Sequence, residues 1–319
     1  MNGIKKVNIK VKGKNLLKAI GFLALITLVY LGINFAVAFV ILVIMFITKP
    51  EMLQQAGVEN FEWMLTSEML KYSLHITILS NIITLLIIAL FFLARKDKFI
   101  KYVKFKRFRL IDGTLVVGFG MFLNLLMLTI LSFVSELEVF SKPMNRYDKL
   151  MEETFNGPFI IILIAVIIAA PLFEEIVVRG IVFNDFKKAL PVWMAIIIQA
   201  LIFGLMHMNL IQGSYATLLG IILGLIYYYY KSIWIPILMH FSFNLTSIMF
   251  EEIFGSDVSL SLVGIIGLIG SIIIVGIMIK IYDKQYYIED EEPIEEEDET
   301  VFVARTYKIG DNVVKKIEQ

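Results

Sequence analysis

Eight long apolar blocks divide this chain, and the longest runs from Ala19 to Thr48. About 20 consecutive apolar residues carry a helix across a bilayer core. Blocks of that length, without the alternation of a half-buried strand, leave an all-α, polytopic membrane protein with about eight transmembrane helices in a bundle. The composition agrees: 58% of residues are apolar, 18% are charged and the mean hydropathy is +0.80. There is no cysteine, which excludes disulfides, thiolate nucleophiles and Cys-type zinc sites.

The expected spans are 19–48, 73–94, 114–134, 158–186, 192–207, 215–230, 234–250 and 262–282. The first is too long for the apolar region of a signal peptide, and no small-x-small cleavage site follows it. Lysines crowd residues 1–18, and Arg95 to Arg109 holds eight basic residues. Basic excess marks cytoplasmic loops, so both termini are expected in the cytoplasm of a multi-pass cell-membrane protein. Abundant Lys, Ile and Asn suggest AT-rich coding, which favours a bacterial source. Aromatic residues interleave the basic loop and suit anionic headgroups, so its charge needs no nucleic-acid partner. Tyr227 to Tyr230 and Trp234 read as an aromatic belt. Ala216, Gly220 and Gly224 form a small-xxx-small stripe for close helix approach. The segment 207–214 reads as a connection, and 283–319, with its acidic run from Glu289 to Glu299, as a disordered cytoplasmic tail.

Pro171-Leu172-Phe173-Glu174-Glu175-Ile176-Val177-Val178-Arg179-Gly180 breaks the fourth block with charge. Ionisable groups at membrane depth are costly and mark functional sites. Glu175 and Arg179 have the favourable order for an i,i+4 ion pair. Glu174 lies about 100° away round the helix, so it is left free. Pro171 removes the donor for the Ile167 carbonyl and can kink the helix just before the carboxylates.

Two other spans carry polar groups at depth. Gln199, Phe203 and His207 share one helical stripe, and His240 shares another with Asn244. Glu175 and His207 each lie sixteen residues from Pro191, so an antiparallel hairpin sets them level, roughly 24 Å from the turn. His240 and Asn244 lie roughly 14 and 20 Å in from the turn at Lys231. A carboxylate beside an imidazole can make water nucleophilic, and a second imidazole with an amide can bind an oxyanion. That set suits an amide hydrolase. Glu174, His207 and His240 are also candidate ligands for a divalent metal such as zinc, although no H-E-x-x-H motif occurs. Gln199 and Asn184 read as interhelical hydrogen-bonders, and His75 as an interfacial group with no role.

Glu174-Glu175-x-x-x-Arg179-Gly180, Phe203-x-x-x-His207 and His240-x-x-x-Asn244 resemble, in order and spacing, the motifs of the CAAX-prenyl-protease and bacteriocin-processing membrane proteases, the CPBP or Abi family. The resemblance covers about 155–250. It implies an intramembrane endopeptidase acting on a membrane-associated peptide or protein in the lipid bilayer. By motif position, Glu174 and His207 activate water, His240 and Asn244 form the oxyanion hole, and Glu175 and Arg179 support them. The implied organisation is a basic N-terminus (1–18), N-terminal spans with the basic loop 95–113 (19–154), a protease core (155–250), a last loop and span (251–282) and the acidic tail (283–319). The competing reading is a non-enzymatic scaffold or bacteriocin self-immunity protein, acting through its loop and tail. A proton-coupled transporter lacks support, because no paired broken helices occur in matching halves.

Overall fold

The computed structural model describes residues 12–51, 61–96, 98–254, 259–283, 303–309 and 312–318. The chain divides into units 1–271 and 272–319, with the boundary inside the last apolar helix. The helices are α1 (Gly13–Thr48), α2 (Phe61–Leu70), α3 (Ser73–Ala94), α4 (Phe99–Val103), α5 (Leu110–Ser135), α6 (Ser141–Phe155), α7 (Phe159–Ala189), α8 (Val192–Met206), α9 (Leu210–Tyr230), α10 (Trp234–Phe254) and α11 (Leu260–Asp283). Six of them, α1, α3, α5, α7, α9 and α11, are long and apolar enough to cross a membrane. The shorter apolar helices α8 and α10 complete the eight expected from sequence. This is a polytopic all-α membrane fold. Large apolar side chains such as Phe35 and Ile47 on α1 stand exposed, a surface that suits lipid rather than water.

Close approach of helices builds the core. A Cβ on Gly220 would lie 3.0 Å from Ala200 Cα, so the small-residue stripe of α9 faces α8 as its spacing implies. A Cβ on Gly120 would lie 2.4 Å from the Met239 carbonyl oxygen, which fixes α5 hard against α10.

Two sequence expectations change. The connection after α8 is shorter than 207–214, because α9 already starts at Leu210. Asn209 caps it: its side-chain oxygen accepts from the amides of Ile211 (3.0 Å) and Gln212 (3.1 Å). Tyr227 is not part of an interfacial belt. It is fully buried, accepts from Asn184 Nδ2 (2.8 Å) and donates to the Val103 carbonyl (3.1 Å).

The basic loop is pinned to the bundle. Val103 is fully buried, and Gly180 of α7 leaves room for it. Asn184 Nδ2 donates to the Tyr102 carbonyl (3.0 Å), Ser232 Oγ to that of Lys106 (2.6 Å) and the Ile233 amide to that of Lys104 (3.0 Å). In the second unit, Val303–Ile309 (β1) and Asn312–Glu318 (β2) pair antiparallel, with Ile309 opposite Asn312. The tail expected to lack structure therefore contains a hairpin. The acidic run from Glu289 to Glu299 lies outside the described residues.

Candidate active site

α7 is one helix with two widened stretches. Leu163–Ala169 and Ile176–Phe183 are π-helical, and Ala170–Glu175 between them is α-helical. Such stretches concentrate at functional sites. Pro171, with no N–H to donate, sits where the first stretch gives way to the α-helical turn that carries both carboxylates.

The two carboxylates have different surroundings. Glu175 is wholly buried, and its Oε1 lies 2.8 Å from Arg179 Nη1 and 2.9 Å from His240 Nδ1. The Arg179–Glu175 pair is the one expected from spacing. The bond to His240 reaches across from α10, and helical spacing within α7 could not reveal it. Glu174 keeps 19% of its side chain exposed, and its Oε2 lies 3.8 Å from His240 Nε2. That gap is too long for a direct hydrogen bond, yet one oxygen can bond both groups.

Arg179 is wholly buried and held on three sides. Besides Glu175, its Nη2 donates to the Gly220 carbonyl (3.3 Å), and its guanidinium lies 4.3 Å from the centre of the Phe203 ring. Arg179 and Phe203 each lie twelve residues from Pro191, so the hairpin count places level residues in contact. The same ring meets His207 and His240 edge-on, at centroid distances of 5.1 and 5.6 Å. Phe203 is thus the apolar hub between the arginine and both imidazoles. Gln199 Nε2 donates to the Gly220 carbonyl (2.8 Å) and Asn184 bonds across to α9, the structural roles their positions suggested.

His207 follows the last residue of α8. Its Nδ1 lies 2.9 Å from the Phe203 carbonyl, which can only accept, so Nδ1 carries the proton. Whenever the ring is neutral, Nε2 then carries the lone pair. Asn244 Nδ2 donates to the Val166 carbonyl (2.9 Å), inside the first widened stretch of α7. This partner was not foreseeable, because it depends on a helix departing from α geometry. His75 stays apart from the site, near Tyr72.

The candidate metal ligands Glu174, His207 and His240 do not close into a ligand group. Among the described residues no three His, Asp or Glu side chains converge to hold an ion.

Residues 156–246 match the family described as "Type II CAAX prenyl endopeptidase Rce1-like". That segment resembles the CPBP-type membrane protease domain. The CPBP segment contains Glu174, Glu175, Arg179, His207, His240 and Asn244, while α1 to α6, α11 and the tail lie outside it. The chain is also similar to a protein of Bacillus subtilis (strain 168) described as "Putative membrane peptidase YdiL". The two are 32% identical over 77 residues, which is 24% of this chain and 32% of that relative. The match thus spans about a third of the relative's length. No solved structure matches. The segment similar to CAAX-type membrane proteases thus coincides with the polar cluster.

Proposed function

We propose that the chain is an intramembrane endopeptidase that hydrolyses a peptide bond in a membrane-associated peptide or protein. One observation carries the reading: both imidazoles are bonded through Nδ1, and His240 turns Nε2 toward the partly open carboxylate of Glu174. Fixed ring orientation is what proton transfer and oxyanion binding require.

In the proposed reaction, Glu174 and His207 Nε2 remove a proton from water. The resulting hydroxide attacks the scissile carbonyl carbon. The oxyanion of the tetrahedral intermediate accepts hydrogen bonds from His240 Nε2–H and from the second hydrogen of Asn244 Nδ2, whose first goes to Val166. In this role His240 donates from both nitrogens and is an imidazolium, with Nδ1–H on Glu175. Collapse breaks the C–N bond, and the departing amine takes the proton that water gave up. Glu175 and Arg179 touch no substrate atom and act by positioning His240 and Phe203.

Substrate is sought by comparing membrane peptides from cells carrying the wild-type protein with those from cells carrying Glu174→Ala. Purified Glu174→Ala and His207→Ala proteins are each expected to insert normally and to leave that substrate uncut. Full cleavage by either variant refutes the proposal.

A further inference from the structure

We propose that a groove at the basic end of the bundle is a binding site for one anionic glycerophospholipid. The groove, about 790 Å³, lies between the end of α3 and the loop around α4. Its rim carries Lys96, Lys98, Lys101, Lys104 and Lys106. Among the described residues no carboxylate pairs with any of the five. Its floor is apolar, built from Ala89, Leu93, Ile100, Phe99 and Phe105.

Those two surfaces ask for two chemistries in one ligand. The rim needs a negative group, and the floor needs hydrocarbon. A phosphate diester headgroup joined to acyl chains supplies both. The chain's own acidic run, Glu289 to Glu299, would satisfy the rim and offer little to the floor. The position fits as well, because α3 is a candidate span and the groove starts at its last turns.

The rim is built before any ligand arrives. The carbonyls of Lys104 and Lys106 are held by Ile233 and Ser232, so little backbone ordering remains for binding. Its lysines gather like charge, and Lys104 Nζ rests 5.2 Å from the centre of the Tyr227 ring. Burial, with Lys187, Lys231 and Lys106 nearby, pushes the Lys104 ammonium down to about 8, and a bound anion relieves that crowding. A diffuse interaction with anionic membranes needs only basic residues. A groove with an apolar floor holds a single lipid in place.

Native mass spectrometry of the detergent-purified full chain tests this, with dioleoyl phosphatidylglycerol and dioleoyl phosphatidylcholine as probes. One phosphatidylglycerol is expected to be retained in preference to phosphatidylcholine. The triple variant Lys96→Gln, Lys98→Gln, Lys101→Gln is expected to lose roughly a hundredfold in apparent affinity while keeping its gel-filtration profile. A control, Lys142→Gln with Lys149→Gln on α6, is expected to bind as wild type. Equal retention of the two lipids, or unchanged retention in the triple variant, overturns the proposal. So does a synthetic peptide of residues 289–299 that takes the groove in place of the lipid. None of these readouts depends on proteolysis.

Discussion

Glu174 and Glu175 are neighbours in sequence with opposite environments, and the difference separates stability from activity. Glu175 is wholly buried between Arg179 and His240. Removing its charge leaves the Arg179 guanidinium buried without a counter-ion. Breaking a buried pair from one side typically costs about 3–5 kcal/mol. Glu175→Gln is therefore expected to lower the thermal unfolding midpoint in detergent, with activity falling because His240 loses its anchor. Glu174 is partly open, and among the described residues no Arg or Lys pairs with it; His240 Nε2 stands 3.8 Å away. Glu174→Gln is expected to unfold like the wild type and to cut roughly 10²–10⁴-fold more slowly. If the two substitutions exchange these signatures, the roles assigned to the two carboxylates are reversed. Phe203→Leu belongs to the same scale: it keeps bulk, removes the ring from Arg179, His207 and His240, and is expected to lower kcat more than it raises KM.

At the scale of elements, helix ends and close contacts position these side chains. His207 lies three residues before the start of α9, and Asn209 caps that helix. Asn209→Ala is expected to cost about 0.5–2 kcal/mol of stability, read from denaturant or thermal unfolding. It should also loosen His207 and slow cleavage by more than that loss explains. Gly220→Val drives a side chain onto Ala200 and displaces the carbonyl shared by Arg179 and Gln199. Its expected cost is about 1–3 kcal/mol. Some of this geometry was legible in the sequence. The turn at Pro191 and the rise of a helix suffice to set Arg179 level with Phe203, and i,i+4 spacing gives the Glu175–Arg179 pair. The contact of Glu175 with His240 was not legible, because counting from separate turns left them roughly 10 Å apart in depth. The widened turns of α7 advance less per residue than an α-helix, so the count from Pro191 overstates the depth of Glu175. The burial of Tyr227 was hidden for a different reason. Four tyrosines beside a basic turn look interfacial, and only the loop folding back at Val103 shows which of them points inward.

At the scale of the molecule, the basic loop joins the membrane face to the helix that carries the site. Val103 fills the space that Gly180 leaves, one residue after Arg179, and Asn184, four residues further on, bonds Tyr102. The loop thus braces the second widened stretch of α7, and charge gathered on it acts on the stability of the whole bundle. Lys104 makes this measurable. Its folded pKa is about 8, held below the ordinary 10.5 by burial first and by Lys187, Lys231 and Lys106 next. Between these values the unfolded chain keeps the proton that the folded chain has lost. More protons bound in the unfolded state means that stability rises with pH. Stability is therefore expected to climb by an amount on the order of 1–3 kcal/mol as pH increases from about 8 toward 10.5, read as a rising unfolding midpoint. Lys104→Met should flatten the climb, since nothing then titrates at that position. Phosphatidylglycerol should flatten it too, because an anion against the rim restores the Lys104 proton in the folded state. Midpoints measured against pH, with phosphatidylcholine alone and with added phosphatidylglycerol, decide the matter. A climb that persists unchanged in Lys104→Met assigns the dependence to another group, and one that phosphatidylglycerol leaves untouched separates Lys104 from the lipid groove.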